Sequence, residues 1–156
     1  VGWKVMGWQK EDPLLDLKTT GTLAIRCMVH MGTRYTAQTQ DMLARNKQNH
    51  KTKYPFAIVG VNITLLLVDV LNLKEHGFIA KTHGKYWELF EESTAFYDIF
   101  SVCFLYMDKL WTQHNAVRAD FGKLTAHIKE AVTKVLLRGP KSLAQFRKAA
   151  ADAGMM

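Results

Sequence analysis

The chain has 156 residues, 48% hydrophobic and 22% charged. That suits one globular domain with a real core and excludes a long low-complexity linker or a coiled coil. The net charge of +7 is uneven: residues 115–156 hold eight basic and three acidic side chains, residues 85–108 one and five. Such polarity suits charged partners, with peripheral contact to an anionic membrane expected through the basic C-terminal part.

The chain opens on Val1, with Trp3 close behind and no signal peptide, so residues 1–156 are expected to be one domain excised from a longer protein. Cys27 and Cys103 sit in apolar stretches (IRCMVHM, SVCFLYM) and are expected as buried, reduced thiols of a cytoplasmic protein with that peripheral membrane contact.

In chain order, Asp12-Pro13 reads as a helix start, Asp capping and Pro at the first helical position, followed by the short turn PLLDL. TLAIRCMVHM, after Gly21, has helical character and is expected to end at Gly32. RYTAQTQDMLARNKQNH has sparse anchors at Tyr35, Met42 and Leu43, which predicts a more exposed helix. HKTK is a polar break.

Residues 55–73, PFAIVGVNITLLLVDVLNL, are apolar almost throughout. Their β-branched run suggests a strand, but the stretch is longer than the roughly 4–8 residues of a buried strand. Asn62, Thr64, Asp69 and Asn72 make a membrane span costly. The expectation is a helix buried on nearly all sides, at the centre of the core. Asn62 and Thr64 are expected there as buried hydrogen-bonding residues.

KEHGFIAKTHGK is a connection around Gly77 and Gly84. Phe96, Phe100, Cys103, Phe104, Met107 and Trp111 then recur at three- and four-residue steps, as do Val117, Phe121, Leu124, Ile128, Val132 and Val135. The second of these helices opens at Asn115, has a basic outer face and ends at Gly139-Pro140. Ser142 and Gln145 form a capping-box pattern before the last helix. No segment alternates convincingly, so the fold class is all-α: a single compact domain of six or seven helices around a buried central helix.

Six histidines raise a metal site. Cys27 and His30 are three apart and His76 and His83 flank a loop, but there is no CxxC, no HExxH and no second pair, so no metal is expected. No GxSxG, P-loop or GxGxxG is present, and no cofactor is expected. Arg118, Lys123, Lys129 and Lys134 are spread around a polar face rather than clustered, and no nucleic acid is expected as partner.

Two passages stand apart: WKVMGWQKEDPLLDLKTTG, residues 3–21, and KYPFAIVGVNIT, residues 53–64. Together they resemble the two signature regions of the ELMO (engulfment and cell motility) domain family. Trp3, Gly7, Trp8, Gln9, Pro13, Asp16, Leu17 and Gly21 fall on the first pattern at the family spacing, and YPFA..G.NIT matches the second. The later helices match in character, so the resemblance spans essentially the whole chain. It implies an all-α domain that binds a GTP-loaded small GTPase of the Arf family. In one branch a motif arginine is inserted in trans to accelerate hydrolysis; here that position is Lys18. Another branch lacks the arginine and acts as a non-catalytic scaffold in engulfment, motility or membrane-traffic complexes, partnering a guanine-nucleotide exchange factor.

Lysine keeps the charge but loses the planar fork of donors, so activation is expected to be weak or absent. The resemblance makes Lys18 the residue at the catalytic position and Trp8, Gln9, Asp16 and Lys18 the partner-binding set. Trp3, Trp8, Leu14 and Leu17 would pack the segment down, with Lys18 held outward. Arg26 and Arg34 are near in sequence, but Arg26 lies too far into its helix to substitute.

Overall fold

The computed structural model describes residues 2–48, 53–73 and 86–156. The expected connection KEHGFIAKTHGK, with Gly77, Gly84, His76 and His83, lies outside the described residues, as does HKTK up to Thr52.

The described residues form helices and turns, without a strand. After a 3-10 turn at Trp3–Met6 come α1 (Pro13–Asp16), α2 (Leu23–Arg34), α3 (Thr36–Gln48) and α4 (Phe56–Val70). A second 3-10 turn at Trp87–Glu91 leads into α5 (Ala95–Gln113); a third, Arg118–Asp120, runs into α6 (Phe121–Leu137), and α7 (Leu143–Asp152) follows. The all-α expectation holds.

The middle of the core is α5 rather than the apolar 55–73 stretch. Along α5, Ile99, Phe100, Val102, Cys103, Phe104 and Met107 are fully enclosed, and α2, α4, α6 and α7 all pack against it. The ring of Phe104 lies 4.8 Å from that of Phe56 and 5.8 Å from that of Phe100, within the range of favourable aromatic packing. α4 buries a broad face but leaves Asp69 exposed and Ile58, Asn62 and Leu65 half-buried. Near-continuous hydrophobicity shows that a helix is covered; it does not show that it is central.

Other boundaries shift for local reasons. Gly32 does not end α2, because a glycine inside a helix costs only about 1 kcal/mol and the ladder carries on through it, with Tyr35 N–H donating to the Met31 carbonyl at 2.8 Å. The sixth helix starts at Phe121, not Asn115. Asn115 takes φ of +47°, and Asp120 instead holds the chain entry by accepting from Val117 N–H at 2.9 Å, leaving Val117 half exposed. Ser142 caps α7 through its hydroxyl, but the Gln145 side chain accepts from Lys141 N–H rather than from that of Ser142.

Two buried carboxylates tie the helices together. Asp98 in the first turn of α5 accepts from Arg147 of α7 at 2.6 Å and from Thr94 at 2.9 Å, with His30 of α2 at 3.6 Å. Asp108 accepts from Arg45 of α3 at 2.6 Å and from the Tyr54 hydroxyl at 2.8 Å. Burial first, and the Asp108 charge second, push the Tyr54 phenol well above its ordinary range. The strongest influence on Arg45 is its bond to Asp108, which holds the guanidinium still more firmly protonated.

Candidate functional site

The first motif is a framed turn. Asp12 caps α1 by accepting from Leu14 N–H at 2.9 Å, as the Asp-Pro pair predicts. Asp16 reaches back, and its Oδ2 accepts from Gln9 N–H at 2.9 Å and Lys10 N–H at 3.1 Å. One carboxylate thus satisfies two loop donors that no helix would otherwise pair. Leu17 is buried, and Gly21, at φ of +54°, donates its N–H to the Leu17 carbonyl at 2.7 Å. The backbone around Lys18 is closed at both ends, and its side chain is exposed without a hydrogen bond or ion pair among the described residues.

The second motif is the floor on which the first rests. Trp8 and Leu17 pack with Ala24 of α2 and Ala57 and Val61 of α4 in a small buried cluster. Gly7, at φ of +89°, lies so close to the start of α4 that a Cβ there would fall 2.5 Å from the Phe56 nitrogen. At Gly60 a Cβ would fall 2.5 Å from the Met28 sulfur, so the missing side chain lets α2 and α4 approach. Thr64, fully buried, donates back to the Gly60 carbonyl at 2.9 Å, and Asn62 does the same to Ile58 at 3.0 Å. Thr64 is the buried packing residue expected; Asn62 is only half-buried and borders a cleft.

The predicted site residues separate accordingly. Gln9 and Lys18 are exposed, and Asp16 is half-buried and engaged with the loop backbone. Trp8 is 7% exposed, so its ring packs the segment down and offers a partner little surface. Trp3 and Leu14 do the reverse of what was expected: they stand 52% and 68% exposed, because the motif turns on Trp8 and Leu17 and its other apolar residues fall on the outer side. With Val5, Met6 and Leu15, also exposed, they make the segment rich in unburied apolar surface. Arg26 is exposed one turn into α2 and Arg34 is exposed at its end.

Groups with enzymatic potential are arranged for structure. Burial pushes the Cys27 thiol up to about 12, against a smaller opposing effect of a bond to Thr64, and burial pushes Cys103 up as well. Both are free, buried and in the unreactive form. His127 bonds the Tyr106 hydroxyl at 3.1 Å. Among the described residues no three His, Cys, Asp or Glu side chains converge. No helix among them is long and apolar enough to cross a membrane. In the basic C-terminal part, Lys129, Lys134, Lys141 and Arg147 pair with Asp69, Glu130, Glu88 and Asp98.

Sequence reasoning missed the cleft where Gln9 meets Asn62 and Arg118. The Asn115–Asp120 stretch carried one cue, an arginine, Arg118, off the periodic apolar face of the helix that follows.

Comparison with known proteins agrees with these motifs. Residues 1–125 match the model of the family described as ELMO/CED-12. The chain is 24% identical over 155 residues to ELMO domain-containing protein C of Dictyostelium discoideum, covering 93% of this chain and 24% of that protein. It is 26% identical over 149 residues to engulfment and cell motility protein 3 of Bos taurus, covering 93% and 22%. It is 32% identical over 111 residues to ELMO domain-containing protein B of Dictyostelium discoideum, covering 70% and 36%. The chain therefore spans between a fifth and about a third of the length of these relatives.

Proposed function

The chain belongs to the ELMO/CED-12 family, and on that premise we propose that it is a regulatory domain for a small GTPase, acting in engulfment and cell motility, the processes for which several of its relatives are named. The GTPase is of the Arf family and is bound in its GTP form. Lys18 faces the nucleotide, and Gln9 belongs to the same contact. Asp16 acts one step back, by fixing the loop. The observation that carries this reading is the presentation of Lys18, an exposed cation without a partner among the described residues, on a turn locked by Asp16, Leu17 and Gly21. A trans-acting group gains from such a support because its position is set before the partner arrives.

Activation is weak or absent. An arginine finger contributes roughly 10³–10⁵ in rate by laying a planar fork against the transferring phosphoryl group, and a lysine ammonium is a compact, strongly hydrated point charge that cannot. Nucleotide and Mg²⁺ belong to the GTPase.

One observation favours a second reading, a scaffold indifferent to nucleotide: the exposed side chains around the turn include Val5, Met6, Leu14 and Leu15. Apolar contacts of that kind do not sense a γ-phosphate. Such a scaffold would bind a guanine-nucleotide exchange factor instead.

Single-turnover hydrolysis on a panel of Arf-family GTPases, with GTP- and GDP-loaded binding in parallel, separates the two. The native chain is expected to prefer the GTP form and to accelerate hydrolysis little. Lys18→Arg is expected to raise the rate roughly 10²-fold or more. Equal rates for both chains would remove Lys18 from the site. Failure of both to bind either form would replace this reading with the scaffold.

A further inference from the structure

Beside the framed turn lies a cleft of about 170 Å³, the size of one side chain. Its polar groups are Gln9 from the first motif, Asn62 from the second and Arg118 from the 3-10 turn before α6. Its apolar walls include Ile58, Trp111 and Phe121. The Arg118 side chain makes no ion pair among the described residues. The nearest acid in sequence, Asp120, is engaged with Val117 N–H. Asn62 has committed one amide hydrogen to Ile58 and keeps its other donor position.

We infer that this cleft is an anchor for an acidic side chain of a protein partner, held by the Arg118 guanidinium and the side-chain amides of Gln9 and Asn62. One planar guanidinium flanked by neutral donors matches a singly charged carboxylate, which it grips in a fork-to-fork pair. The apolar walls take the methylenes that carry a glutamate carboxylate, and they exclude water from the pair. A phosphate dianion would call for more than one cation, and among the described residues the cleft has one, Arg118. The anchor does not require the partner to be a GTPase or Lys18 to act on a nucleotide. It shares Gln9 with the turn, whose backbone Asp16 fixes, so a partner seated on the turn reaches the cleft without a gap.

The test is titration of the ¹⁵N-labelled full chain with N-acetyl-glutamate amide, its neutral glutamine counterpart and inorganic phosphate, read on the Gln9 and Asn62 side-chain amides and the Arg118 Nε–H. The glutamate probe is expected to give saturable shifts on these groups. Affinity should fall about tenfold for the glutamine probe and for Arg118→Gln, the loss of a charge-assisted hydrogen bond. Lys123→Gln, which removes an exposed cation outside the cleft, should leave binding unchanged. Gln9→Glu should compete with the probe by supplying a carboxylate in place. No saturable shift on the three groups, equal binding of the two amide probes, or retention in Arg118→Gln would overturn the assignment. Tighter binding of phosphate would overturn it as well.

Discussion

The two motifs are adjacent in space and opposite in character. Residues 53–64 are mostly interior: Tyr54, Ala57, Val59, Gly60, Val61, Ile63 and Thr64 are all buried. Residues 3–21 bury Trp8 and Leu17 and expose nearly everything else. A motif therefore need not be a contact surface. The second is specific because helices must pass close at Gly60 and because Tyr54 must reach Asp108. The first is specific at Gly7, Trp8, Asp16, Leu17 and Gly21 because a turn must be held still. What it holds, Lys18 and the apolar residues beside it, contributes little to its own stability.

The contrast breaks most easily where the two motifs touch. Gly7→Ala combines a left-handed φ with a Cβ at 2.5 Å from the Phe56 backbone, so it should lower unfolding stability by about 3 kcal/mol or more in urea titration. A cost under about 1 kcal/mol would mean that the loop is not seated on α4. Alkaline pH probes the interior side through its buried thiols. The Cys27 thiol is raised from 9.0 to about 12, so its contribution is fully present below about pH 9 and is lost as pH rises from there toward 12. The slope is about 1.4 kcal/mol per pH unit, and Cys103 adds in the same direction. The urea midpoint should fall between pH 9 and 10.5 and fall less steeply in Cys27→Ala. A midpoint that stays flat in the native chain counts against this burial. The smallest effect belongs to the outer side. Lys18→Ala and Leu15→Ser should each change stability by no more than about 0.5 kcal/mol. Lys18→Ala should also weaken the GTPase contact proposed above, and a stability loss matching the binding loss would make Lys18 structural.

Much of the fold was legible because periodicity reports burial directly. The steps Phe100, Cys103, Phe104, Met107 and Trp111 are an interior face at helical spacing, and all five are buried. Centrality was not legible. α4 is the more apolar of the two, so hydropathy points to the wrong helix, and only packing shows which is enclosed by four helices and which keeps an edge at Asp69. At the site, the cap at Asp12 and the outward position of Lys18 followed from the turn chemistry and the motif. The exposure of Trp3 and Leu14 did not, since a hydrophobic residue in a loop carries no sign for the side it faces. The cleft stayed hidden because residues 9, 62 and 118 meet only through tertiary packing.

The Asp98–Arg147 pair has a consequence for where the domain can be cut. The family match stops at residue 125, inside α6, yet Arg147 of α7 supplies the guanidinium that neutralises a carboxylate buried in α5. Lys109 also donates to the Gly154 carbonyl at 3.0 Å, and Phe146 and Met155 are interior residues. A fragment trimmed to the matched stretch would keep Asp98 but strand its charge beside His30 and open the floor beneath α5. The family match and cooperativity thus draw different borders: the stretch that carries the match is shorter than the part that has to fold with it, although relatives align across nearly all of the chain.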